Sequence, residues 1–204
     1  MLESNSTVHI VDDDEAVRDG LRWLLESIGI SVREYAEAED FISDYIAQPP
    51  ECLLLDIRMP GIGGLELQKR LAVTDTSLPI IILTGHGDIQ MAVHAMKKGA
   101  IDFIQKPYNQ EALLDLVRKA LQKSSEEASN KKEWLERERR LATLTTRERQ
   151  VMDLVVIGET NKVIAANLEI SPKTVETHRA RIMEKMHARS LADLISKSSI
   201  QATD

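Results

Sequence analysis

Charged residues stand repeatedly where short apolar runs stop. Asp12 and Asp13 close HIVDD, Asp56 closes CLLLD and Lys106 closes DFIQK. Such runs read as buried strands, and in an open parallel α/β sheet ligands bind beyond the carboxyl ends of the strands. Three acids and an amine, distant in the chain, are therefore expected to converge. Carboxylates gathered in one place repel, and a hard divalent cation bound through oxygen resolves the conflict. Mg²⁺ fits, because it takes one or two carboxylates, keeps several waters, and leaves positions for phosphate oxygens and a main-chain carbonyl such as that of Arg58. The Asp56 carboxylate could then attack a phosphoryl donor. Lys106 offers a point positive charge to the phosphoryl oxygens, and Thr84, which closes IIILT, offers a hydroxyl donor. Taken singly, the acids at 12 to 14 read as a run capping the next helix, Asp56 as a turn residue and Lys106 as a loop lysine. Agreement among three strand ends favours a site. His86, between two glycines, reads as a loop residue beside it.

The elements that must position these groups alternate regularly. Val8 to Val11, Ser31 to Tyr35, Cys52 to Leu55, Ile80 to Leu83 and Asp102 to Ile104 are strand-like, with helical patterns between them. The first helix, Glu15 to Ser27, carries Val17, Leu21, Leu24, Leu25 and Ile28 on one stripe, and Gly29 ends it. Alternation of this kind predicts right-handed βαβ crossovers and a parallel sheet covered on both faces, which the continuous runs LLL and IIIL suit. A further helix is predicted after Asn109, with Leu113, Leu114, Val117 and Leu121 inward. Beyond it, KSSEEASNKKEWLERERR reads as an interdomain linker rich in helix formers. Leu114, Leu121, Ala128 and Leu135 share a seven-residue spacing there. A coiled-coil row and a solvated helix fraying near Ser124 both remain open.

With 204 residues, 43% of them hydrophobic, the chain can bury one medium core and a small one. The boundaries expected are 1–122, a helical linker 123–141, and 142–204. Residues 1–122 carry 20 acids and 11 bases, whereas Arg139 to Lys197 carries 11 bases and 7 acids. The basic balance of the second part permits a polyanion partner. The single cysteine, Cys52, cannot form an internal disulfide, which fits a reducing compartment. The start MLESNSTVHI lacks the charged and apolar regions of a leader, and no apolar stretch is long enough to span a bilayer. A cytoplasmic protein without membrane attachment is expected.

From Thr145 the helix signals become explicit. Thr145 with Glu148 makes a capping-box pattern opening a helix over 145 to 157, and Gly158 ends it. A second helix is predicted from Asn161 to Leu168, a third capped by Ser171 with Pro172 in first position, and a fourth opened by Ser190 with Asp193. Val163, Ile164, Leu168, Ile170, Val175, Ile182 and Met186 supply a small core, and the tight turn at Glu169 to Ser171 predicts helix-turn-helix geometry. On the third helix Lys173, Arg179, Arg181 and Lys185 suit phosphate contact, and Thr174, Thr177 and His178 can hydrogen-bond; Lys162 adds a cation on the preceding helix. Glu176 is read as favouring the helix start rather than reading a base.

At these residues the chain resembles a known family. HIVDDDEAVR, LLLDIRMPGIGGLEL, IILTGHGD and AMKKGAIDFIQKPY, followed by LTTRERQVM and NKVIAANLEISPKTVETHRARIMEKM, resemble a FixJ/NarL-type two-component response regulator with a LuxR-type helix-turn-helix. The likeness covers nearly the whole chain. It implies a CheY-like (flavodoxin-like), doubly wound, five-stranded receiver followed by a small all-α DNA-binding domain. It implies Asp56 as phosphoacceptor, Asp12 and Asp13 as magnesium-site acids, Thr84 and Lys106 as phosphate-sensing groups, and Phe103 as a switch aromatic coupled to Thr84. Tyr108 stands where the family more often has Phe. The partners implied are a sensor histidine kinase, a second copy on phosphorylation through the fourth helix and fifth strand, double-stranded promoter DNA, and RNA polymerase by direct contact. The chain has no G-x-x-x-x-G-K-[ST] nucleotide loop. A magnesium-dependent phosphohydrolase and a DNA-binding protein indifferent to phosphorylation are the competing readings.

Overall fold

The computed structural model describes residues 6–74, 77–85 and 89–198. His86 lies outside them. The chain divides into two compact units between Ser129 and Asn130.

In the first unit, strands β1 (Thr7–Val11), β2 (Ser31–Tyr35), β3 (Glu51–Asp56), β4 (Ile80–Thr84) and β5 (Asp102–Gln105) alternate with helices α1 (Glu15–Glu26), α2 (Ala38–Asp44), α3 (Gly64–Ala72) and α4 (Ile89–Lys97). All strands are parallel, in the order β2-β1-β3-β4-β5. The order reverses between β1 and β3, the crevice where ligands of doubly wound sheets bind. Every residue of β3 and β4 is buried, as their unbroken apolar runs require, whereas edge strand β5 alternates. One face of the sheet packs on residues of α2, α3 and α4, among them Phe41, Leu67 and Ala95. The other packs on α1 and on the helix after β5 through Leu21, Leu25, Leu113 and Val117. Cys52 lies inside β3, fully buried, and burial pushes its thiol well above the usual range.

Asp14 opens α1 by accepting from the amides of Ala16 and Val17. Gly29 follows it at φ 84°, a left-handed value that a side chain would strain. The helix after Asn109, α5 (Gln110–Ala142), takes in residues 123–141. Its heptad row does not form a uniform free seam. Leu121 is buried and Leu114 packs on the core of the first unit, whereas Leu135 is exposed.

The second unit holds α6 (Thr146–Val156), α7 (Asn161–Leu168), α8 (Pro172–Lys185) and α9 (Leu191–Ser198) around Leu141, Val151, Val155, Ile164, Val175, Ile182 and Met186. The capping box at Thr145 and Glu148 forms with both hydrogen bonds present. Ser171 accepts from the Thr174 amide, and Glu169 takes φ 53° in the turn between α7 and α8. Ser190 accepts from the Asp193 amide at the start of α9. One expected core residue is outside: Val163 is 39% exposed, because it stands beside rather than on the inward row of Ile164 and Leu168.

Candidate functional site

Parallel register brings the strand-end acids together. Val11 of β1 pairs with Leu55 of β3, so the next residues, Asp12 and Asp56, leave the sheet side by side. Lys106 follows β5, its amide donating to the Thr84 carbonyl at 2.8 Å. Its amine reaches both acids, donating to Asp12 Oδ2 at 2.5 Å and to Asp56 Oδ1 at 2.7 Å. The second Asp56 oxygen accepts from the Arg58 amide at 2.6 Å. Residues 12, 56 and 106 thus share one charge cluster.

The electrostatics follow from burial. Desolvation raises the Asp12 carboxyl above its ordinary pKa, even though Lys106 pulls it down. For Lys106, burial alone would lower the ammonium, but Asp12 and Asp56 outweigh it and its pKa stands above the usual lysine value. The Asp13 side chain is exposed, in contrast to Asp12, which is 1% exposed. Among the described residues no three acidic, histidine or cysteine side chains stand close enough together to hold a metal. Asp12 and Asp56 meet around the Lys106 amine, and Asp13, next to Asp12 in the chain, presents its side chain to solvent. Their donor chemistry still fits a hard cation, because Asp12 and Asp56 offer only oxygens and share one compensating charge.

Thr84 is buried, and its hydroxyl donates to the Gly85 carbonyl at 3.3 Å. Phe103, beside Ile82 in register, is 37% exposed. Tyr108 packs against the core beneath α5.

Two residues at this site carried no chemical signal in the sequence. Gly64 begins α3 directly over the phosphoacceptor candidate, where an added Cβ would lie 2.1 Å from the Asp56 carbonyl oxygen. Only glycine allows that approach. Arg18 donates to the Asp12 carbonyl at 2.7 Å and fixes the turn into α1. The GG pair in PGIGGLEL and a cation four residues into a helix were the available clues.

The helical unit sorts its candidates by face. Lys173, Thr174, Thr177 and Arg181 on α8 are exposed, as is Lys162 on α7. Thr174 shares a hydroxyl contact with Ser171, Thr177 donates to the Lys173 carbonyl, and Lys173 pairs with Glu176 at 3.0 Å. Arg179 is half-buried and donates to Asn161 Oδ1 at 3.1 Å, tying α8 to α7. His178 is half-buried, with a buried Nδ1 that has no hydrogen-bond partner among the described residues. Lys185 departs from expectation. Its amine donates inward, to Glu148 Oε2 at 2.6 Å and to the Thr143 carbonyl at 3.0 Å. Glu148 is 2% exposed, and the Lys185 hydrogen bond, with help from the Thr145 amide, holds its carboxyl down at about 2.

Comparison with known proteins decides what this pairing of units is. Residues 8–118 match the response regulator receiver domain, and residues 142–198 match the bacterial regulatory proteins of the luxR family. The chain belongs to the response regulators with a LuxR-type output domain. This response regulator is 45% identical to the transcriptional regulatory protein FixJ of Azorhizobium caulinodans over 92% of the chain and 89% of that protein. It is 46% identical to the transcriptional regulatory protein TdiR of Thauera aromatica over 93% and 84%. Among solved structures, the response regulator StyR covers 95% of the chain and 98% of its own at 43% identity, with TM-score 0.88. Full-length FixJ from B. japonicum covers 94% of each at 39% identity, with TM-score 0.59. Both relatives are named as transcriptional regulatory proteins, and this response regulator shares with that family a receiver joined to a LuxR-type regulatory domain. No helix of the described residues is long and apolar enough to cross a membrane.

Proposed function

We propose that this response regulator accepts a phosphoryl group on Asp56 from a sensor histidine kinase, dimerises, and binds double-stranded promoter DNA to control transcription. The observation that carries the reading is the Lys106 amine bridging Asp12 and Asp56, which draws strand ends far apart in sequence onto one nucleophile. In the transfer, an Asp56 oxygen attacks phosphorus, the bond from phosphorus to the donor nitrogen breaks, and the nitrogen keeps the electron pair and takes a proton. Asp12, Asp13, Asp56 and the Arg58 main-chain carbonyl would hold Mg²⁺, which supplies charge neutralisation at the phosphoryl oxygens. Lys106 is already charged and placed to take one of those oxygens in exchange for a carboxylate.

Thr84 and Phe103 are the switch pair of this reading: the Thr84 hydroxyl donates to the Gly85 carbonyl at 3.3 Å, a long bond that loses little in exchange for one to the phosphoryl group. The dimer face is α4 with β5, where Val93 and Phe103 are exposed. Phosphorylation favours that dimer only through contacts that differ between the two states. A small helical module needs two copies on paired half-sites for tight binding, so dimerisation controls DNA affinity. Lys162, Lys173, Thr174, Thr177 and Arg181 form the open DNA-facing set, and His178 and Arg179 border it. The functional boundaries are 1–122, linker 123–141 and 142–204, the site of action is the cytoplasm, and RNA polymerase is met directly.

Treating the full chain with acetyl phosphate and Mg²⁺ is expected to add one phosphoryl group by intact-mass measurement and shift the sedimentation profile to dimer. Asp56→Asn is expected to do neither. An Asn variant that dimerised on donor addition as the wild type does would overturn the reading.

A further inference from the structure

We infer that Lys185 is a positioning residue for DNA binding: with Glu148 and the Thr143 carbonyl it sets the seat of α8 and does not itself touch DNA. The inference rests on the DNA-binding reading of α8. Lys185 is the last residue of that helix, and its amine joins three elements. Thr143, immediately after α5, gives it a carbonyl; Glu148, in the first turn of α6, gives it a carboxylate. The same Glu148 oxygen also accepts from the Thr145 amide at 2.8 Å. That carboxylate cannot swing out to follow a departing lysine without breaking the α6 cap. The lysine is thus held by an anchor that is itself fixed.

The arrangement has a lever. α8 is seated in the core by Val175, Ile182 and Met186, a stripe about which a helix can roll. Arg179 to Asn161 restrains it on the α7 side. Lys185 restrains it at the far end, against the α5–α6 junction. A small roll released there displaces Thr174, Thr177 and Arg181, which stand on the open face. A group whose hydrogen bonds are met by a buried acid and a carbonyl also gains little by leaving them for a phosphate.

Phosphate contact and positioning predict opposite responses. If Lys185 bound phosphate, removing Glu148's charge would free the lysine, and affinity would hold or rise. If Lys185 positions α8, the same change weakens binding, although Glu148 is buried and acidic and has no route to DNA. The experiment uses the full chain with acetyl phosphate and Mg²⁺, and as probe a labelled duplex selected by the wild type from a random pool. Affinity is read across a salt series, at a temperature where circular dichroism shows each variant fully folded. Lys185→Met and Glu148→Gln are each expected to weaken binding about tenfold while the slope of log affinity against log salt stays at the wild-type value. Lys185→Arg, which keeps the charge and the donors, is expected to recover most of the loss and covers the case in which the methionine variant fails to fold.

A slope reduced by about one for Lys185→Met, with Glu148→Gln binding as well as wild type or better, would overturn the inference in favour of phosphate contact. Unchanged affinity in both variants, with only the melting temperature lowered, would overturn it in favour of a purely structural pair. A wild type that selects no duplex at all would overturn the DNA-binding reading itself, and this inference with it.

Discussion

The receiver and the helical unit assemble their sites by opposite means. In the receiver, residues 12, 56 and 106 come from three strands, and parallel pairing leaves them no choice but to meet at one edge. In the helical unit the candidates lie within one stretch of chain, and the turn of α8 decides which of them reach solvent. A strand end has one destination; a helical position has a compass bearing. Strand position therefore tells which side chains meet in the first unit, whereas in the second Lys173 and Lys185 share one helix and take different partners, Glu176 and Glu148.

The sharpest way to break this comparison is to damage the frame of the sheet. Leu54→Ala, at a fully buried position on central strand β3, is expected to lower receiver stability by about 4 kcal/mol in urea unfolding, with hydrogen exchange in α6 to α8 unchanged. Protection lost equally in both units would mean that they do not unfold independently. Gly64→Ala comes next. Its Cβ must push the Asp56 carbonyl aside, so a cost of about 2 kcal/mol is expected together with a fall in the rate of phosphoryl uptake of about a hundredfold. Uptake at the wild-type rate would show that the main chain over Asp56 yields freely.

The helical unit offers a subtler test through pH. Glu148 has a folded pKa of about 2 against an ordinary 4.5, a depression caused first by Lys185. Its contribution is present in full above pH 4.5 and is lost as pH falls from there toward about 2. The protection factors of the α8 amides, taken relative to intrinsic exchange at each pH, are expected to fall through that window in the wild type and to show no such step in Glu148→Gln. Thr145→Ala, which removes one arm of the capping box, is expected to cost about 1 kcal/mol by the same measurement. The smallest effect belongs to Val163→Ser, at most about 0.5 kcal/mol, because the side chain already faces water.

Much of this was legible in the sequence because local signals and global topology agree there. Unbroken apolar runs ending in charge gave the buried strands, and Thr145, Gly158, Ser171 and Pro172 marked helix ends by chemistry that acts within a few residues. What was hidden depended on contacts across the chain. Lys185 follows Arg181 by four residues and Ile182 by three, so spacing leaves it on the border between the open face and the buried stripe. Only the arrival of Glu148 from another helix decides its direction. Asp13 and Asp12 are neighbours of identical type, yet one is exposed and the other buried against Lys106. Gly64 is a requirement set by the absence of atoms, and a pattern of side chains does not express it.

The lone thiol in β3 gives this protein a clock of its own. Cys52 is the chain's single cysteine, and in the folded state it is sealed inside the central sheet with its thiolate suppressed. A disulfide reagent can therefore reach it only when that sheet opens. The labelling rate counts those openings one molecule at a time, and comparing it with and without a phosphodonor reads how much the occupied site tightens the sheet.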